Sequence, residues 1–158
     1  MITIPKSATA DTRTCDFKNV SKDTLLESSI QHIDDVDEGF RFFSCMMADA
    51  AENHDADKIT GIDHFHADFI TGFEQTGWWD NHRKVNRHHL QQADGVPADV
   101  NLIDVLDMIV DCVMAGMARS GSVYAVKIDP EVLQKAFENT VELLKRNVQV
   151  ESEKGATT

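Results

Sequence analysis

Cysteine is scarce in this chain: three residues in 158 (Cys15, Cys45, Cys112), with no C-x-x-C pair among them. That spacing excludes a thiolate zinc site and a disulfide framework, and marks the thiols as reduced. Long apolar runs are missing too. No stretch approaches the ~18 apolar residues of a membrane span, and the opening MITIPKSATADTRTCDF has no apolar signal core. The expectation is a cytoplasmic protein with no membrane partner. Positive charge is the third shortage, 15 Lys and Arg against 27 Asp and Glu, for a net charge of −12. Such a surface argues against a nucleic-acid polymer as partner, because nonspecific binding needs Lys and Arg to displace counterions from phosphates. A small phosphorylated ligand stays open, since bound cations can supply the local positive charge. A Gly-rich phosphate loop, G-x-S-x-G and H-E-x-x-H are all absent, which removes support for serine-nucleophile and zinc-metalloprotease chemistry.

Period-two alternation is nearly absent, so the chain reads as all-α, a bundle of about five helices. The length suits one domain, 21–150, preceded by a Thr-rich arm (1–20) and followed by a frayed tail (151–158). Within the arm, Ile2 and Ile4 alternate and can pair as a strand, though an arm or loop is the first reading. A long helix is predicted from Ser21, with Ser21 or Thr24 as cap, to about Asn53. Its apolar positions Leu26, Ile30, Ile33, Val36, Phe40, Phe43 and Met47 recur at helical steps, and Gly39 marks a place where it can break. Further helices are predicted over about 61–75, 78–92, 100–118 and 130–148. The last starts from a capping Asp129 followed by Pro130.

What is abundant is histidine in one place. Six of the seven histidines lie between Asn53 and Leu90, and the seventh, His32, sits one helix earlier. Imidazole nitrogen with carboxylate oxygen is a ligand set for Mn, Fe, Co, Ni or Zn, with Mg as a further candidate. His54 and Asp55 are adjacent. On a regular helix they diverge by about 100°, so both reach one ion only where the backbone turns, as at a helix end. His82, Asn86 and His89 fall at i, i+4 and i+7, one helical face, and Arg83 with Arg87 on a neighbouring face can hold phosphate oxygens. The competing reading is a solvated basic helix with an incidental histidine pair. Asp104, Asp107 and Asp111 align on an otherwise apolar helix; the first two can serve the helix dipole, whereas Asp111 lies past the first turn and points to a metal ligand. Lys58 can meet a substrate phosphate or simply stand in solvent. His64 and His66, two apart, read as surface residues, and the methionines Met108, Met114 and Met117 as core or oligomer packing.

Taken together, His32, then His54-Asp55, then a late helical aspartate resemble the H…HD…D pattern of the HD-domain metal-dependent phosphohydrolases. H-D-x-x-K (His54, Asp55, Lys58), H-x-x-x-N-x-H-H (His82, Asn86, His88, His89) and V-L-D-M-I-V-D (Val105 to Asp111) resemble, more narrowly, an uncharacterised family of bacteriophages and bacteria. The resemblance implies an HD-like helical bundle and a divalent transition metal held by His32, His54, Asp55 and Asp111, with Asp104 the alternative to Asp111. It implies Asp107, Asp104 or His82 as proton acceptor. Lys58, Arg83, Asn86, His88 and His89 would then stand toward the phosphate, with the middle histidines as extra ligands where a second metal binds. The expected substrate is a nucleotide or another small phosphate ester, and a homo-oligomer is compatible. Two rivals stand beside this reading: a non-catalytic helical module binding a partner protein, and an HD-like protein that sequesters a nucleotide without turnover.

Overall fold

The amphipathic stretch after Ser21 forms one helix, α1 (Lys22–Asn53). Ser21 caps it, its Oγ accepting from Thr24 N at 3.0 Å, and the helix runs through Gly39 without a break. The computed structural model describes residues 1–7 and 10–151; most of the expected tail, 152–158, lies outside the described residues. Beyond α1 come α2 (Ala56–Thr60), α3 (Ile62–Phe69), α4 (Trp78–Val85), α5 (Leu102–Ser120) and α6 (Pro130–Asn147). Two 3-10 turns, Thr12–Thr14 and Ala93–Gly95, and two short strands, β1 (Ile2–Pro5) and β2 (Val148–Glu151), complete the described elements. The protein is all-α apart from that two-stranded sheet. No helix among the described residues is long and apolar enough to cross a membrane.

Several helix ends differ from the sequence reading. The expected 61–75 helix stops at Phe69 and is preceded by the single turn of α2. The expected 78–92 helix stops at Val85: Asn86 turns to an extended conformation (φ −92°, ψ 112°). Its side-chain amide also donates to His82 O at 3.1 Å, a local bond of the kind by which Asn competes with the helix ladder. By contrast α5 has a complete capping box. The Asn101 side chain accepts from Ile103 N at 2.8 Å, and Asp104 accepts from Asn101 N at 2.8 Å. At α6, Asp129 accepts from Glu131 N at 2.8 Å, with Pro130 as the first helical residue.

The chain divides into two units, one made of Met1–Cys45 with the chain from Glu142 onward, the other of Met46–Val141. Both boundaries fall inside helices, α1 and α6, which explains why no linker marks them in the sequence. In the first unit β1 pairs in parallel with β2, Ile2 opposite Val148 and Ile4 opposite Val150, so the alternating start of the arm is a strand. The second unit has its own core of Leu90, Val100, Val105, Met108 and Ala136. Polar ties close it: Asn139 Nδ2 donates to Val100 O at 2.8 Å, and Leu102 N to Thr140 Oγ1 at 2.9 Å.

Candidate metal centre

The second unit gathers four of its histidines, His54, His82, His88 and His89, around one residue. Asp55 sits between the end of α1 and the start of α2 in the left-handed conformation, φ 53° and ψ 19°. A non-glycine residue rarely adopts that backbone, and it persists where the surroundings enforce it. Here Asn86 does so. Its Oδ1 accepts from Asp55 N at 3.1 Å, while its Nδ2 donates to Asp57 Oδ1 at 2.9 Å. The turn directs His54 and Asp55 to a common side. Asp55 Oδ2 lies 3.6 Å from His54 Nε2, and Asp55 Oδ1 lies 3.3 Å from His82 Nε2 and 3.6 Å from His88 Nε2.

Two groups of ligand atoms result, His54, Asp55 and His88 in one and Asp55, His82 and His89 in the other, each group within 4.8 Å. The two oxygens of Asp55 face both. In the second trio Asp55 Oδ1, His82 Nε2 and His89 Nε2 are buried without a hydrogen-bond partner. Buried polar atoms are almost always paired, and three such atoms converging on one point offer a cation its donors. The site can hold a metal ion.

Protonation agrees with that fit, because an imidazole must be neutral to ligate. Burial lowers the pKa of His88, against the raising influence of Asp107. Burial and the neighbouring His88 and His82 push His89 down to about 4. Burial by itself would raise Asp55, but the Lys58 ammonium that binds it holds it below the usual carboxylate range. Asp57 is likewise lowered, the bonds from Asn86 and His82 overcoming burial. Neutral His88 and His89 beside ionised Asp55 are nitrogen and oxygen donors of the kind a borderline divalent ion takes.

A ring of outer groups orients these donors. Asp107 Oδ1 meets His54 Nδ1 at 2.8 Å, and its other oxygen lies 3.5 Å from His88 Nδ1. Asp57 Oδ2 meets His82 Nδ1 at 2.9 Å. Each carboxylate thereby turns the opposite ring nitrogen inward, the arrangement that fixes tautomer and orientation in metal-bound histidines. His82, fully buried, is stacked against Trp78 and Trp79 with ring centroids at 4.7 Å and 5.1 Å. The start of α4 is held in turn by buried Asp68, which accepts from Thr76 N at 2.8 Å and Trp79 N at 3.1 Å. His88 stacks on His54 at 4.3 Å. Gly95 touches the loop carrying His89: a Cβ there would stand 2.3 Å from His89 O.

The residues singled out from sequence are distributed as follows. His54, Asp55, His82, His88 and His89 come together, and Asp111 stands at their edge, Oδ1 3.8 Å from His54 Nε2. His32 belongs to the other unit, where Nδ1 lies 3.6 Å from Asp11 Oδ2, and neither group of ligand atoms includes it. Asp104 is taken up by the α5 capping box and by Arg87, whose Nε donates to it at 2.8 Å. Arg83 bonds Asp80 and Asp94, each at 2.7 Å, and also Gln92. Asn86 spends its amide on Asp55 and Asp57. The i, i+4, i+7 face fails as the reason for convergence, since His89 lies beyond the helix end at Val85; it is the turn at Asn86 that returns the chain to the site. Sequence reasoning missed Asp57 and Asp68. Asp57 carried one usable signal, a carboxylate two residues after the His-Asp pair; Asp68 carried none. Comparison of the chain with protein-family models, curated proteins and solved structures finds no match.

Proposed function

We propose that this protein is a metal-dependent phosphohydrolase of the HD type, acting on a small phosphate ester. The observation that carries the reading is the sharing of Asp55 between two groups of histidine donors, with three buried unpartnered atoms in one of them. The His54-Asp55 pair and the H-D-x-x-K resemblance it opens supply the reaction class, although His32 stands outside the donor groups, and Mn, Co, Fe, Ni or Zn suits the donors.

His54, Asp55 and His88 would hold one ion, with Asp111 beside them, and Asp55, His82 and His89 a second. A divalent ion so bound supplies Lewis acidity to a phosphoryl oxygen and lowers the pKa of a water toward neutrality. The chain's own contributions are separable. Asp107 and Asp57 keep the Nε2 lone pairs of His54 and His82 directed inward. Lys58, bound to Asp55, places a cation next to the site, where it offsets negative charge growing on the phosphoryl oxygens. Asp104 and Asp107 are committed to other partners, so the partly exposed Asp111 carboxylate is the better proton acceptor for an attacking water.

The test combines metal analysis with turnover. Wild-type protein should take up Mn or Co, measured by calorimetry and elemental analysis, and release phosphate from a panel of phosphate esters that includes nucleotides. A chelator should abolish release, and Asp55→Ala should lose both ions because both groups need it. Metal uptake with no phosphate or alcohol product after long incubation would sink the enzyme reading.

A further inference from the structure

The candidate centre opens on two unlike clefts, both inside the second unit and both lined by Asp111. One, about 250 Å³, is polar and presents Arg83, His88, His89, Gln91 and Gln92. Arg83 Nε, although buried, has no hydrogen-bond partner there. The other, about 400 Å³, runs between the end of α1 and α5. Its polar lining consists of His54, Asp107 and Asp111, which meet one another at 2.8 Å and 3.8 Å about His54. Every other lining residue is alanine, valine, leucine, isoleucine or methionine. Ala50, Ala51 and Ala115 leave the helices bare where they face each other, and Met47, Val110 and Met114 form flexible apolar walls.

Resting on the phosphohydrolase reading, we infer that the substrate is the phosphate monoester of an aliphatic alcohol. Its phosphate would lie at the histidine–aspartate centre and its hydrocarbon chain along the Met47–Met114 cleft. The chemistry of the lining makes the choice. A nucleobase or sugar brings several donors and acceptors, and outside the three centre residues this cleft has no side chain to pair with them, so their desolvation would go uncompensated. A hydrocarbon chain has nothing to leave unpaired and gains from covering exposed Val110 and Met114. The polar cleft on the other side of Asp111 matches the opposite end of such a molecule. In the reaction the water oxygen bonds to phosphorus and the bond from phosphorus to the alcohol oxygen breaks. One water proton remains on the product phosphate and the other ends on the released alcohol.

The experiment uses the full chain loaded with Mn. Binding of n-alkyl phosphonates of increasing length, which are not hydrolysed, is measured by calorimetry alongside hydrolysis of the matching alkyl phosphates and of nucleoside monophosphates. Affinity and kcat/KM should each rise about fourfold per added methylene until the cleft is filled, and the nucleotides should fall below the longer alkyl phosphates. Ala115→Leu, at an exposed position, should flatten the length dependence by blocking the cleft; Val110→Asp provides a second variant, with retained metal uptake as the check on folding. Hydrolysis of short esters and nucleotides with no length dependence would overturn the inference and leave the phosphohydrolase reading standing. Length-dependent phosphonate binding without hydrolysis of any ester would overturn the phosphohydrolase reading and the substrate with it, leaving the cleft as a binding site for alkyl phosphates. If sedimentation shows a dimer that Val110→Asp dissociates, while chain length changes neither affinity nor rate, the cleft belongs to a second copy and the inference falls.

Discussion

His82 and Phe40 stand in opposite surroundings to those their chemistry suggests: the histidine is 0% exposed, the phenylalanine 68%. The centre around Asp55 is polar and buried, whereas the apolar stripe of α1 lies largely open, with Leu26 at 56% and Ile33 at 63%. The buried region is tolerable because nearly every group in it has a partner, and the atoms that lack one face a common point. The stripe is tolerable for a different reason: helical periodicity fixes which residues share a face, and says nothing about what covers that face. Amphipathicity and burial are separate properties, and α1 has the first without the second.

Attacking the buried side should have the largest effect. Asp57→Ala should weaken metal binding about 10- to 100-fold through loss of the orienting bond to His82, and Asp107→Ala should do the same through His54. With two ions bound, calorimetry should resolve the two variants as losses in different binding steps; identical losses from a single step would remove the two-group description.

A smaller effect should come from Asp68, buried but outside the donor groups. Burial by itself would raise its pKa, and the N–H groups of Thr76 and Trp79 more than reverse this, leaving it lowered. A carboxyl with a depressed folded pKa contributes stability in full above the unfolded value of about 3.9, and that contribution is lost as pH falls through the folded pKa. Melting temperature followed downward from about pH 6 should therefore drop more steeply below about pH 4 in wild type than in Asp68→Asn. Parallel curves would show that the carboxylate does not stabilise the start of α4.

The smallest change is expected on the open side. Ile33→Gln removes apolar surface at an exposed helical position and should alter unfolding free energy by no more than about 0.5 kcal/mol, read by urea titration. A larger loss would mean that the stripe is covered in solution.

The sequence reading and the structure part company at identifiable residues. Start signals were local and legible at Ser21 and at Asp129 followed by Pro130, each acting within three residues of the helix it begins. The Asn101–Asp104 capping box is as local but was missed, because Asp104 reads as a helix-dipole residue or a metal ligand. Helix ends were not, because what stops α4 is a side chain engaged 29 and 31 residues away, at Asp57 and Asp55. The His54-Asp55 turn could be anticipated from the divergence of neighbouring helical residues, but its left-handed backbone depends on that same distant Asn86. Asp111 looked exceptional for interrupting an apolar run, and it does stand by His54; Asp107, which looked like a dipole residue or a base, is the closer partner. The strand at Ile2–Pro5 stayed ambiguous because its partner lies at the other end of the chain, at Val148–Glu151.

That last pairing bears on the order in which the molecule is made. Synthesis runs from the N-terminus, so β1 is made well ahead of its partner strand, which follows only after residue 147. The unit of Met46–Val141, with its donors and its core, is fully translated before β2 exists. Long-range parallel pairing is intrinsically late. A nascent chain released just past Val141 would therefore hold every residue of the metal centre while β1 still waited unpaired, and a pulse-chase with metal supplied during translation would find ion uptake ahead of strand closure.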